Sequence, residues 1–183
     1  MIQSKGASLL GPTASRRQFG VWLAVVLLGL TALWGCGNAE FDQVRGYRDF
    51  LKQTEPKLRS MNRVRERLVG AEDVDRMLQL FEDDLVTVVQ ELHDAANGQA
   101  APEGRLGDIH GQLKTAMDDY LKATTALVVR IKAAKKAGSD DKKVAAELEK
   151  AILEWGARDK EFGDRMTQLV SDLNGYLDKL MRS

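Results

Sequence analysis

The stretch 144–180, VAAELEKAILEWGARDKEFGDRMTQLVSDLNGYLDKL, decides the fold of this chain. Leu148, Ile152, Trp155, Phe162, Met166, Leu169, Leu173, Leu177 and Leu180 recur in it at steps of three, four or seven. That spacing sets side chains on one face of an α-helix, because 3.6 residues complete a turn. Charged residues take about half of the positions between, and no proline interrupts them. The pattern predicts a helix over about 140–182, which at ~1.5 Å per residue reaches about 60 Å. A helix of that length with one apolar stripe needs partners of its own kind.

Three further segments supply them. Val44, Tyr47, Leu51, Thr54, Leu58, Met61, Arg65 and Leu68 make a seam over 39–69. Pro56 falls inside it on the opposite side, so a kink or a restart capped by Thr54 is expected there. Gly70 offers a stop, and Val74, Met77, Phe81, Leu85, Val88 and Leu92 form a second seam over 72–97. The longest linker downstream of the leader runs from Gly98 to Gly107 and contains Pro102. Leu106, Ile109, Leu113, Met117, Tyr120, Thr124, Leu127, Ile131 and Ala134 then make a third seam over 105–137. Gly138, Ser139 and Asp140 read as a stop followed by a fresh cap before the last helix.

Helix-favouring residues dominate throughout, so the fold class is all-α. Four helices on short or medium connections pack most simply as an antiparallel up-down four-helix bundle. The alternative joins the first two segments across Gly70 into one long helix, which gives an elongated helical coiled-coil bundle of three rods.

The N-terminus has a different character. A polar stretch without acidic residues leads to Arg16 and Arg17, and an apolar run follows from Phe19 to Trp34. This is the layout of a secretory signal, and about 16 residues is short for a permanent membrane span. The run closes on Leu33, Trp34, Gly35 and Cys36, which resembles the lipobox of bacterial lipoproteins. That resemblance covers the leader alone. It implies removal of 1–35, a thioether-linked diacylglycerol on Cys36, and a single lipid-anchored helical domain over 36–183 in the cell envelope. Ser15, Arg16, Arg17, Gln18 and Phe19 also resemble the twin-arginine export signature, so both the twin-arginine and the general secretory routes stay open. Gly37 stands where an Asp signals inner-membrane retention in such proteins, and the resemblance therefore implies outer-membrane sorting in a cell that has an outer membrane.

The leader holds three of the 27 basic side chains and none of the 27 acidic ones, which leaves the remainder a net charge of about −3. Its charges are interspersed, a distribution that argues against a nucleic-acid partner. Cys36 is the single cysteine, so no disulfide staples the domain. The acidic pairs Asp83 with Asp84 and Asp118 with Asp119 read as solvated faces. With no nucleophile motif, phosphate loop or metal-binding helix motif beside them, the chain is not expected to be an enzyme and calls for no cofactor beyond the covalent lipid.

Two constellations remain. His93 and His110 lie symmetrically about the linker, so a hairpin would bring them to one height, where Asp94, Glu103 or Asp108 could help them hold a transition metal. The plainer reading is two polar residues flanking a turn. In the last helix Glu154-Trp155-Gly156-Ala157-Arg158 is echoed seven residues later by Glu161-Phe162-Gly163-Asp164-Arg165. Aromatic and Arg side chains dominate binding hot spots, so Trp155, Arg158, Phe162 and Arg165 form a candidate partner-docking stripe. The plainer reading makes Trp155 and Phe162 core residues with the glycines outside. Asp159 and Arg65 put charges into seams, a usual device for fixing register. Turn counting sets Asp159 level with Tyr120 and Asp118 and predicts no direct pair with Arg65. The function expected from these features is that of a membrane-anchored module that binds a protein partner, with a small-ligand or metal-binding bundle as the alternative.

Overall fold

The computed structural model describes residues 39–69, 73–136, 141–180 and 182. The leader, Cys36, Gly70 and the 138–140 stop lie outside the described residues, and with them the lipidation reading. Among the described residues the chain is helical with no strand. Helix α1 spans Ala39–Val69, α2 spans 74–98, α3 spans Gly104–Lys136 and α4 spans Asp141–Leu180.

Each helix forms where its apolar stripe predicted it, with two local departures. The restart at Pro56 does not occur: α1 runs through it, and Thr54 Oγ1 donates to the Leu51 carbonyl at 2.9 Å instead of capping a new helix. Pro56 is exposed, so the carbonyl that loses its donor can be hydrated. Helix α2 is the second departure. It opens on Asp73, whose side chain accepts from the Arg76 amide at 2.7 Å, and continues as α-helix over Val74–Gln79. It widens to a π-helix over Leu80–Val86 and returns to α over Thr87–Gly98. Bonds from i to i+5 put extra residues into the turn and slip the apolar register. Val89 is therefore fully buried in place of the predicted Val88, which is only half-buried.

Ion pairs report the topology. Lys57 pairs with Glu91 at 2.6 Å and Arg67 with Asp84 at 2.8 Å, so α1 and α2 form an antiparallel hairpin. This excludes the single long helix across Gly70. Lys132 with Glu82 and Lys135 with Asp75 join α3 to α2, while Arg130 reaches Glu147 at 2.9 Å and Glu154 at 2.5 Å on α4. Tyr176 Oη donates to Glu40 at 2.7 Å and ties α4 back to α1. The result is the up-down-up-down bundle with one continuous apolar core.

The α2–α3 linker is tight. Gly104 has φ +58°, the left-handed region that glycine enters without a Cβ penalty. A Cβ on Gly107 would fall 2.4 Å from the Pro102 carbonyl oxygen, so only glycine lets the chain fold back so closely. The Glu103 amide donates to Gln43 Oε1 at 3.2 Å and fastens this linker to α1.

Candidate functional site

The docking stripe divides between inside and outside. Trp155 and Phe162 are core residues at 8% and 3% exposure. Trp155 meets Phe81 edge to face at 5.0 Å, and Phe162 stacks on Tyr120 at 4.4 Å. Arg158 and Arg165 point outward over a groove of about 410 Å³ between α3 and α4, which Asp119, Lys122 and Glu161 also line. Arg165 bridges Asp119 at 2.7 Å and Glu161 at 2.6 Å, and Arg158 reaches Glu161 at 2.9 Å. The two guanidiniums hold the Glu161 carboxyl below the usual carboxylate range. Exposed pairs of this kind contribute little to folding and exchange partners readily. Gly156 faces open space, on the outside where the plainer reading placed it.

Beneath this groove lies a polar node. Tyr120 Oη donates to Asp159 Oδ1 at 2.5 Å, and Arg65 Nη2 lies 2.5 Å from the same oxygen. Arg65 also donates to Tyr120 Oη at 3.2 Å and to Asn62 Oδ1 at 3.1 Å, with its guanidinium 5.5 Å from the Tyr120 ring centre. The predicted closeness of Asp159 to Tyr120 is observed, but the predicted separation of Asp159 from Arg65 is wrong. Helical side chains lean toward their own N-terminus, and in antiparallel α1 and α4 that makes Arg65 and Asp159 lean toward each other. Burial would pull the Arg65 guanidinium down, yet Tyr120 and Asp159 outweigh it and keep the charge on. Burial pushes the Tyr120 hydroxyl well above its ordinary value, so it remains a donor.

The histidines have different surroundings. His110 is 1% exposed and sits between the rings of Tyr47 at 5.6 Å and Phe50 at 5.8 Å, edge to face with both. Neither of its ring nitrogens closes a hydrogen bond. Burial lowers its pKa first and Lys114 second, while the backbone of Ala96 and Gln99 opposes them. His93 stays near the surface, with Asp94 at 3.1 Å, the Asn97 side-chain nitrogen at 3.0 Å and Asp118 at 3.8 Å. Among the described residues no group of three or more His, Cys, Asp or Glu side chains converges on a point that could hold a metal ion.

A further site was not foreseen from the sequence. Helices α1 and α4 are tied by Glu40 with Tyr176 near one end and by Arg65 with Asp159 toward the other. Between those ties lies an apolar cavity of about 60 Å³. Phe50 and Leu51 of α1, Leu113 and Met117 of α3, and Met166 and Val170 of α4 line it, with Tyr47, Arg48 and Thr54 as the members that carry polar groups. A buried water needs two to four polar partners, which this lining does not offer. The Thr54 step in the α1 seam is the trace the void leaves in the sequence, a small polar residue where a large apolar one would close the gap.

No protein-family model, curated protein or solved structure matches this chain.

Proposed function

We propose that the protein is a lipid-anchored helical bundle of the bacterial cell envelope that acts by binding a protein partner rather than by catalysis. The lipobox-like Leu33, Trp34, Gly35 and Cys36 lie just ahead of α1, which starts at Ala39. Lipid on Cys36 would therefore hold the α1 N-terminal end of the bundle at a membrane face, with no helix among the described residues long and apolar enough to cross one. The groove between α3 and α4 is the docking face in this reading, with Arg158 and Arg165 as its contacts and Trp155 and Phe162 as its rigid backing. The observation that carries it is the set of guanidiniums and carboxylates exposed over one open groove, able to exchange their mutual pairs for those of a partner.

The test is a photo-crosslinking side chain placed at Arg158 or Arg165 in cells. A single discrete adduct from these positions, absent from a control position at exposed Lys52, supports the docking face. Equal patterns from all three would remove it.

A second reading has its own observation. The apolar cavity between α1 and α4 favours a small-ligand bundle, and it moves the ligand site from His93 and His110 to the middle of the α1–α4 seam.

A further inference from the structure

His110 is a costly residue where it stands. Near the start of α3 it is 1% exposed, and both ring nitrogens are buried without a hydrogen bond. Buried polar atoms ordinarily have partners, so an apolar side chain here would spare the desolvation of two nitrogens. What histidine offers that an apolar residue does not is a proton taken up just below neutral pH.

The surroundings decide which charge state the fold accepts. Helix α1 turns the rings of Tyr47 and Phe50 to His110, both edge to face. The Tyr47 hydroxyl is the titratable group on that side, and burial pushes it far above the range of the imidazole. The end of α2 brings the backbone of Ala96 and Gln99, which favours a proton, and α3 brings Lys114, which opposes one. His93 and Asp94 of α2 are engaged with each other near the surface. Among the described residues no carboxylate acts on the His110 ring, and burial is the largest effect on it. The packed end of the bundle therefore holds the ring neutral.

His110 also stands at a junction. Its neighbours belong to α1, to the end of α2 and to the start of α3, beside the linker in which Gly107 and Pro102 approach closely. Light contacts fasten this end: the Glu103 amide to Gln43 at 3.2 Å, and Arg105 to Asp172 at 3.6 Å, both open to solvent. The opposite end carries the Arg130 bridges to Glu147 and Glu154 and the Lys132 and Lys135 ion pairs. Local opening is drawn to the end with fewer ties.

We propose that His110 is an acid-operated latch, whose protonation frees residues 96–110 from α1 and opens the bundle end at which α1 begins while the opposite end stays packed. Opening hydrates the imidazolium and uncovers Tyr47, Phe50 and Ile109. The latch does not depend on the docking face between α3 and α4. With lipid on Cys36, the end that opens is the one held at the membrane.

Hydrogen–deuterium exchange of the full chain in an amphipathic polymer tests this between about pH 7.5 and 5, above the ordinary carboxylate range, with exchange times scaled to the intrinsic rate. One proton per opening sets the size of the effect. Peptides covering 96–110 are expected to lose protection below about pH 6.5, by up to about tenfold per pH unit, while peptides covering 124–134 keep theirs. His110→Phe is expected to abolish the loss and His93→Gln to leave it intact. Circular dichroism melts at neutral pH confirm folding, and His110→Leu replaces a phenylalanine variant that does not fold. Carbon-13 NMR of the ring-labelled parent needs no variant: the His110 signals should leave their folded positions over the range in which 96–110 loses protection. Constant protection of 96–110, equal losses in both regions, or a loss that persists without His110 would overturn the latch. So would a gain of protection on acidification, which would mean that the imidazolium caps the end of α2 instead.

Discussion

Replacing Arg65 with Met removes the cation from the polar node while nearly preserving its length. Asp159 and Tyr120 then stay in place, 2.5 Å apart, with one donor for a carboxylate that had two. Removing one partner of a buried ion pair costs about 3–5 kcal/mol. Arg65 and Asp159 retain 17% and 27% side-chain exposure, so water recovers part of that and the cost should be about 2–3 kcal/mol. For a domain of this size the melting temperature should fall by about 5–10 °C. Asp159→Leu alone leaves the guanidinium facing Tyr120 and Phe162 and should cost a similar amount. The double variant, with an apolar pair in the same seam, should lie within about 1 kcal/mol of the parent. Urea unfolding of the four proteins by circular dichroism closes the cycle, with an expected coupling of at least about 2 kcal/mol. Additive losses would mean that Arg65 and Asp159 do not depend on each other, and would contradict the pairing.

Three glycines should respond in opposite directions. Gly107→Ala forces a Cβ against the Pro102 carbonyl and should destabilise by about 1–3 kcal/mol, with Gly104→Ala near 1 kcal/mol for its φ of +58°, whereas Gly156→Ala in open space should stabilise by up to about 1 kcal/mol in thermal melts. Burial lowers the His110 pKa below the ordinary 6.5, so the unfolded chain binds the extra proton first as pH falls. Stability contributed by neutral His110 should be complete above about 6.5 and decline below it, and His110→Phe should flatten the urea midpoint in that range; an unchanged slope would contradict the assignment. Thr54→Leu, placed to fill the α1–α4 void, should raise stability by about 1 kcal/mol in urea melts.

The seams carried most of the fold because each records one quantity, the side of a helix that meets its neighbours. Leu106, Ile109, Leu113, Met117 and Tyr120 are all buried as their spacing required, and so are Leu148, Ile152, Trp155 and Phe162. Val89 escaped because a π-turn slips the register in a way that no three-and-four spacing encodes. Phe50, His110 and Val128 flank the stripes and were buried by the breadth of the interface, which a single seam understates. Asp159 and Arg65 were legible as charges of opposite sign in two seams, and only the opposed lean of antiparallel side chains was needed to pair them. The cavity had no such signature. It depends on the distance between α1 and α4, and Thr54 in a seam shows only that packing is thin there. His93 and His110 matched in sequence distance from the linker, but one faces the core and the other the surface.

Cys36 bears more of the proposed function than any other residue. Intact-mass and peptide mass spectrometry of the protein taken from its native membranes tests that residue directly. The expected product begins at residue 36 and carries a diacylglycerol thioether on its sulfur, with the whole population in the membrane fraction and a Cys36→Ser variant retaining its leader. A chain recovered from the cytosol with residues 1–35 attached and a free thiol at Cys36 would contradict it.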